Sequence, residues 1–372
     1  MTTTPRQDAS PGSSVGRSRP TIAQVAKAAR VSMATVSGVL NNRADCYVAE
    51  STRQRVLETA RKLRYRPSVA ARALMGKRTG TLGMAVPGFD VEMSVRKFVG
   101  FEAAARRQQQ MTITACTGEH SATEDQALDW LIDRYVDGIA VYPTPQGNHD
   151  ELRRLVEEGF PLVTFDGTLE LDFTCDDVSV DSYAGGRLQA QHLLEIGRRR
   201  ILVVNGLPLA RLTAEKIRGV DAVLTEAGLP PAQRTNLSLT TFGSNHWDTH
   251  ELEQLAQFFR QRAGDFDAIA AVGDMLAMTA IRILVEQGWR VPEDIAVIGY
   301  DGLTLSGQNA IPLTTVCHPS EQIGEKAFKL LGRRLEAREA GEQVEPQRIE
   351  VPPELIPRTS TVGRREGTPA AP

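Results

Sequence analysis

Residues 21–40 read TIAQVAKAARVSMATVSGVL, and the spacing within this stretch decides how the chain begins. Thr21 with Gln24 forms a capping-box pattern, in which the hydroxyl accepts a backbone N–H and the amide reaches back to the cap. Ile22, Val25, Ala26 and Ala29 then share one helical face. The pattern breaks at Arg30-Val31 and restarts where Ser32 can cap a second helix that runs to Leu40. Two helices joined this tightly predict a helix-turn-helix.

Working outward, Val56, Leu57, Ala60 and Leu63 have helical spacing over Ser51 to Arg64, and Pro67 forces the chain extended at Arg66. Three short helices around one core are therefore expected over 20–66. Residues 67–79 read as a linker able to form a turn or two of helix, because Ser68 can cap it and Ala70, Ala71, Arg72, Ala73 and Leu74 favour helix. Residues 1–19 are a polar tail without the apolar run of a signal peptide, so a cytoplasmic protein is expected. Cys46, Cys116, Cys175 and Cys317 lie far apart with no metal-knuckle or disulfide-framework spacing, which fits a reducing compartment.

Charge is distributed unevenly. Residues 1–78 carry 15 Lys and Arg against 4 Asp and Glu, whereas the remainder carries 28 against 42. A basic end on an acidic body is the footprint of a chain that lays one end on a polyanion, releasing counterions from each neutralised phosphate. A solvated basic helix without a partner would look the same by charge alone. The helix-turn-helix adds the geometry, since its second helix fits the major groove and its N-terminal residues meet base edges. With Ala26, Val31, Val36, Val39 and Leu40 inward, Met33, Ala34, Ser37 and Gly38 point outward, and Thr35 and Asn41 reach phosphates. This face is small and apolar, so it can touch a thymine methyl but offers no bidentate bond to guanine or adenine. Part of the specificity must come from elsewhere.

From Leu82 onward short apolar runs alternate with amphipathic stretches: Leu82 to Val86, Thr112 to Ala115, Gly138 to Tyr142, Leu162 to Phe165, Ile201 to Val204, Ala268 to Val272 and Ile295 to Tyr300. Helix-length connections between buried strands predict α/β architecture, with two doubly wound parallel-sheet lobes rather than one. The break between lobes is expected near Thr164 to Asp177, with Leu313 to Val316 able to cross back. Ligands then bind at the carboxyl ends of the strands.

Catalytic patterns are missing: there is no G-x-S-x-G elbow, no complete phosphate loop around Gly76-Lys77 and no G-x-G-x-x-G after a strand. His246 and His250 have a helical metal-ligand spacing, but no third ligand accompanies them. An enzyme, a metal site and a cofactor are therefore not expected. A pure solute-binding protein of periplasmic type would explain the body but not the headpiece.

The chain resembles the lactose/galactose repressor family. The resemblance runs through Thr21-Ile22-Ala23-Gln24-Val25-Ala26, Val31-Ser32, Ala34-Thr35-Val36-Ser37, Val39-Leu40-Asn41, Thr52-Arg53, Val56-Leu57 and Leu63-Arg64-Tyr65-Arg66-Pro67. It continues in Val180-Asp181, His192-Leu193, Arg218-Gly219, Val291-Pro292-Glu293-Asp294-Ile295, Gly299-Tyr300-Asp301 and Pro312-Leu313-Thr314-Thr315, covering about 21–360. It implies a transcriptional regulator, expected to be a repressor, that binds an approximately palindromic operator as a homodimer. It further implies periplasmic-binding-protein-like lobes over 80–361 with a small-molecule effector, a sugar or related polar metabolite, between them.

By the same resemblance Ala71-Arg72-Ala73-Leu74 matches a hinge helix that enters the minor groove, with Leu74 as the wedge; the alternative is a linker residue packed on the body. A wedge costs a few kcal/mol of unstacking and is offset by a bent duplex that touches more protein. The DNA-contacting set is thus Thr21, Ser32, Met33, Ala34, Thr35, Ser37, Gly38, Asn41, Tyr65, Arg72 and Leu74. The effector set is Asp166, Lys216, Trp247, Gly273 and Asp301. Both Asp residues would hold polar groups, and Trp247 would stack on the ligand. Against these stand the readings of each Asp as a cap for the next turn and of Trp247 as core.

Four departures stand out. Gly38 replaces a polar base-reading side chain, Lys216 a usual Arg, and Gly273 a usual Asn. Lys keeps the charge but loses the planar fork of Arg. The loop at Arg43 to Tyr47 is also about two residues longer than is usual in the family. The last residues, 362–372, read as a second disordered tail. They hold no leucine heptad that would join dimers into tetramers.

Overall fold

The computed structural model describes residues 20–40, 46–66, 69–89, 92–118, 121–144, 148–166, 171–205, 211–235 and 249–363. The tail 1–19, Asn41, most of the Arg43 to Tyr47 loop, Ser68, His246, Trp247 and residues beyond Gly363 lie outside them. Contacts divide the chain into two compact units between Lys77 and Arg78.

The first unit contains α1 (Ile22–Ala29), α2 (Met33–Leu40), α3 (Glu50–Lys62) and α4 (Val69–Leu74). The capping box forms as its spacing predicts: Gln24 N–H donates to Thr21 Oγ1 at 3.3 Å and Thr21 N–H to Gln24 Oε1 at 2.8 Å. Arg30 ends α1 with a left-handed φ of 55°, and Ser32 Oγ accepts the Thr35 N–H at 3.0 Å to start α2. Val25, Ala26, Ala29, Val36, Val39, Val56 and Ala60 form the core, with Ile22, Val31, Leu40 and Tyr65 packed against it. Arg55 Nε donates to Ala29 O at 3.0 Å and locks α3 onto the end of α1.

The second unit opens with β1 (Thr81–Val86), α5 (Glu92–Arg107), β2 (Met111–Cys116), α6 (Ser121–Asp133), β3 (Ile139–Val141), α7 (Asp150–Glu157), β4 (Leu162–Phe165) and β5 (Asp176–Val180). It continues with α8 (Ser182–Glu195), β6 (Ile201–Val204), α9 (Arg211–Glu226), β7 (Gln233–Arg234), α10 (Thr249–Arg262), β8 (Ala268–Ala271), α11 (Asp274–Glu286), β9 (Ala296–Asp301) and β10 (Thr314–Cys317). It ends with α12 (Ser320–Ala340), β11 (Arg348–Val351), β12 (Glu354–Ile356) and α13 (Thr359–Val362). One sheet has the order β11-β5-β4-β3-β1-β2 and the other β12-β10-β9-β8-β6-β7. Pairing is parallel throughout except between β10 and β12.

Both sheets therefore repeat the same 2-1-3-4-5 winding, each extended by one strand from the C-terminal segment. Each is buried on both faces, as parallel sheets must be. In the first lobe Phe101 and Leu331 pack on one side and Leu128 and Leu155 on the other. In the second, Phe259 and Leu284 oppose Val220 and Tyr300.

The lobe boundary differs from the expectation. β5 still belongs to the first sheet, and the chain crosses at Asp181, again between Cys317 and Ser320, and last between Val351 and Glu354. β10 stays in the second sheet, and α12 with β11 is the segment that returns. The strand β5 escapes an apolar scan because it begins Asp176-Asp177. Asp176 is fully buried yet satisfied, accepting from Gln347 N–H at 2.6 Å and Arg334 Nε at 2.5 Å. Both partners lie more than 150 residues away. The last helix, α13, also runs one residue into the span expected to be a tail.

Candidate functional site

In the first unit, α2 presents Ser32, Met33 and Ala34 outward, with Met33 55% exposed. Thr35 is half-buried, and its hydroxyl lies 2.9 Å from Ser32 Oγ, so the two hydroxyls hold each other at the start of the helix. Ser37 is half-buried. Gly38 corrects the sequence reading: it is buried, not outward, and a Cβ there would fall 2.4 Å from Cys46 Sγ and 2.8 Å from Cys46 Cβ. Glycine is present because the chain returning toward α3 packs onto α2 at that point. The missing base-reading side chain is thus the consequence of a close approach.

Thr21 is exposed, but its hydroxyl is engaged in the cap. Tyr65 is half-buried with its ring against the core. On α4, Arg72 is half-buried, while Leu74 and the following Met75 are 82% and 67% exposed. Two adjacent uncovered apolar side chains at and just beyond the end of a short helix are costly in water. Tyr47, 93% exposed, is an aromatic that sequence reasoning passed over.

In the second unit the strand ends at Asp166, Gly273 and Asp301 converge with Lys216 of α9 between the lobes; Trp247 lies outside the described residues. Asp166 follows β4 with φ 64°, and Asp301 ends β9 with φ 119°. Both side chains are turned by left-handed backbone, which costs about 1–3 kcal/mol at a non-glycine residue and persists only where surroundings enforce it.

Asp166 is 2% exposed and accepts from the Lys97 ammonium; His318 Nε2 lies 3.5 Å from its other oxygen. Burial raises the Asp166 carboxyl, but Lys97 and His318 outweigh it and hold the group below the usual carboxylate range. His318 in turn places Nδ1 3.0 Å from Ser320 Oγ. Its pKa is lowered by burial, against the pull of Asp166. Lys97 also lies 4.7 Å from the centroid of the Tyr142 ring.

On the facing lobe, Lys216 Nζ donates to Val272 O at 3.0 Å and sits 3.7 Å from the Tyr300 ring centroid. Burial lowers its pKa, and Asp301, Asp166 and Asp274 partly restore it. Gly273 is the extended N-cap of α11 and supplies no side-chain cap. Asp274 behind it is fully buried and accepts from Thr315 Oγ1 at 2.6 Å and Leu303 N–H at 2.8 Å. Burial, then Asp301, pushes Asp274 up to about 7. Burial pushes Asp301 up to about 6 against the opposing pull of Lys216.

The cleft thus presents carboxylates and ammonium groups from both lobes, beside two tyrosines. Lys97, His318 and Asp274 are the members that sequence reasoning missed. The first two come from a helix face and a crossover that no local motif marks. Among the described residues no cluster of His, Cys, Asp or Glu could hold a metal ion.

Residues 21–68 match the signature described as bacterial regulatory proteins, lacI family, and residues 190–361 match a periplasmic binding protein-like domain. The regulator CelR of Thermobifida fusca is 30% identical over 355 residues, covering 92% of this chain and 99% of that relative.

The chain belongs to the lacI family.

The HTH-type transcriptional repressor PurR of Yersinia pestis is a further relative, 32% identical over 350 residues with 91% of this chain and 96% of that one covered. Among solved structures, the lac repressor dimer bound to operator and the anti-inducer ONPF superposes with a TM-score of 0.75 at 24% identity, over 92% of this chain and 99% of that one. A CelR–cellobiose complex superposes with a TM-score of 0.63 at 28% identity, over 92% and 100%. This lacI-family chain is a DNA-binding transcriptional regulator, and its helix-turn-helix and paired lobes are the family architecture. Among the described residues no helix is long and apolar enough to cross a membrane.

Proposed function

We propose that this lacI-family regulator is a repressor that grips an approximately palindromic operator as a homodimer and changes its operator affinity when a polar, hydroxylated small molecule enters the cleft. In this reading residues 20–66 bind DNA, 67–79 form the hinge and 80–361 bind effector and pair the subunits. The observation that carries it is the exposed Leu74 on α4, in a chain whose recognition face at Ser32, Met33 and Ala34 offers little direct readout. An uncovered leucine there suits a minor-groove wedge that reads deformability.

The effector class is supported by a cleft with acceptors at Asp166 and Asp301 and donors at Lys97 and Lys216, and by the cellobiose in the CelR structure. Dimerisation is supported by the edge strand β2, whose Met111 is 70% exposed, and by Val99 on α5, 46% exposed. Effector and operator affinities are then linked reciprocally, whichever sign the coupling has.

The test is binding of the purified protein to genomic fragments, including its own promoter region, at two salt concentrations, with and without pooled sugars and nucleosides. A discrete protected site, a steep salt slope and a ligand that shifts the affinity are expected. Binding no tighter than to random DNA overturns the operator reading and leaves a solute-binding protein.

A further inference from the structure

The first turn of α5 reaches across the cleft to the segment that follows Asp301. Glu92, its first residue, accepts from the Thr304 backbone N–H at 3.1 and 3.2 Å through its two oxygens, and from Thr304 Oγ1 at 2.7 Å. Arg96, one turn later, donates to Gly302 O at 3.2 Å and Thr304 Oγ1 at 3.0 Å, and pairs with Glu92. Thr304–Gly307 is a short 3-10 turn whose own N-cap, Leu303, has no capping side chain. Glu92 supplies that cap from the other lobe, where a carboxylate on a helix N-terminus is favoured.

The bridged segment has little freedom to absorb the contact. On its own lobe Gly302 N–H donates to Thr315 Oγ1 at 3.2 Å and Leu303 N–H to Asp274 Oδ2 at 2.8 Å. Gly302 has φ 72°, and a Cβ there would lie 2.6 Å from Cys317 Sγ. A pull on Thr304 is therefore passed to Asp301, one peptide from Gly302. On the first lobe the residue after Arg96 is Lys97, which turns inward to Asp166. Consecutive residues of α5 thus hold the far lobe and the cleft floor.

We infer that Glu92 and Arg96 form a latch that holds the two lobes together at the Asp301 segment. Resting on the effector reading, the latch favours ligand binding by raising the fraction of protein with the lobes held together, since apparent affinity scales with the fraction in the competent state.

The test uses the free full-length protein, so it stands or falls separately from the operator search. Wild type, Glu92→Ala, Glu92→Gln and Thr304→Val are compared by peptide-resolved amide exchange and by reductive methylation of Lys97, which is 2% exposed in the latched protein. Thr304→Val leaves α5 untouched while deleting both hydroxyl contacts. For Glu92→Ala we expect exchange over residues 303–307 to rise at least about tenfold, and Lys97 labelling to rise severalfold in both Glu92→Ala and Thr304→Val, with Glu92→Gln between. Faster exchange at 303–307 with unchanged Lys97 labelling makes Glu92 a cap only and overturns the latch. So does no change in either readout.

Discussion

Asp274 and Asp301 meet at the N-terminal turn of α11, where the Asp274 backbone N–H lies 3.4 Å from Asp301 Oδ2. Two carboxylates share one buried corner: burial, then the Asp301 charge, pushes Asp274 up to about 7, and burial pushes Asp301 up to about 6 against the pull of Lys216 and the Asp274 N–H. A carboxyl whose folded pKa is raised binds more protons in the folded than in the unfolded state between the two values. Its contribution is most favourable below the unfolded pKa and declines as pH rises through the folded one. The body should therefore lose stability as the pH rises from about 4 to about 7. Asp301→Asn should flatten that slope, as read from calorimetric melting at pH 5, 6, 7 and 8. An equal slope in the variant removes the pair as its cause.

The closeness of Gly38 to Cys46 makes the recognition helix sensitive to a single methyl. Alanine ordinarily gains about 1 kcal/mol over glycine within a helix, yet Gly38→Ala would set a Cβ 2.4 Å from Cys46 Sγ. Overpacking of this kind costs about 1–3 kcal/mol, so the variant should destabilise the first unit. Cys46→Gly clears both clashing atoms and should restore it. Amide exchange over residues 33–40 measures this, and protection in Gly38→Ala equal to wild type would show that the Cys46 segment moves aside freely.

Leu74→Ala keeps helix propensity and removes an exposed side chain, so folding stability should change by less than about 0.5 kcal/mol. Operator affinity should fall at least about tenfold if the side chain unstacks a base step. Equilibrium binding to the protected fragment at fixed salt decides, and unchanged affinity sinks the wedge assignment.

Lys216 tests the cleft. Replacing it by Met keeps the aliphatic stem on Tyr300 and deletes the ammonium, which over an aromatic face contributes about 0.5–2 kcal/mol. The expected result is a melting temperature lowered by a few degrees, with effector binding weakened at least about tenfold by titration calorimetry. Asp301→Ala should likewise weaken effector and spare operator binding. Normal effector binding in both variants places the ligand elsewhere.

The sequence by itself determined the headpiece and the kind of body. Caps, periodicity and turn residues act within a few positions, so Thr21, Ser32 and the Val25–Val36–Val39 face announced the helices that form, and alternating runs announced buried parallel strands. The family motifs then brought Asp166, Lys216 and Asp301 to one cleft. Only the tertiary structure decided what depends on partners distant in the chain. Gly38 is buried because Cys46 folds back onto it. Asp176 can begin a strand because Arg334 and Gln347 satisfy it. Lys97 of α5 meets Asp166 across the first lobe, His318 reaches it from a crossover, and Glu92 caps Thr304 because three crossings set the lobes face to face. Such pairings follow from how sheets and crossovers bring residues together, and no local spacing encodes them.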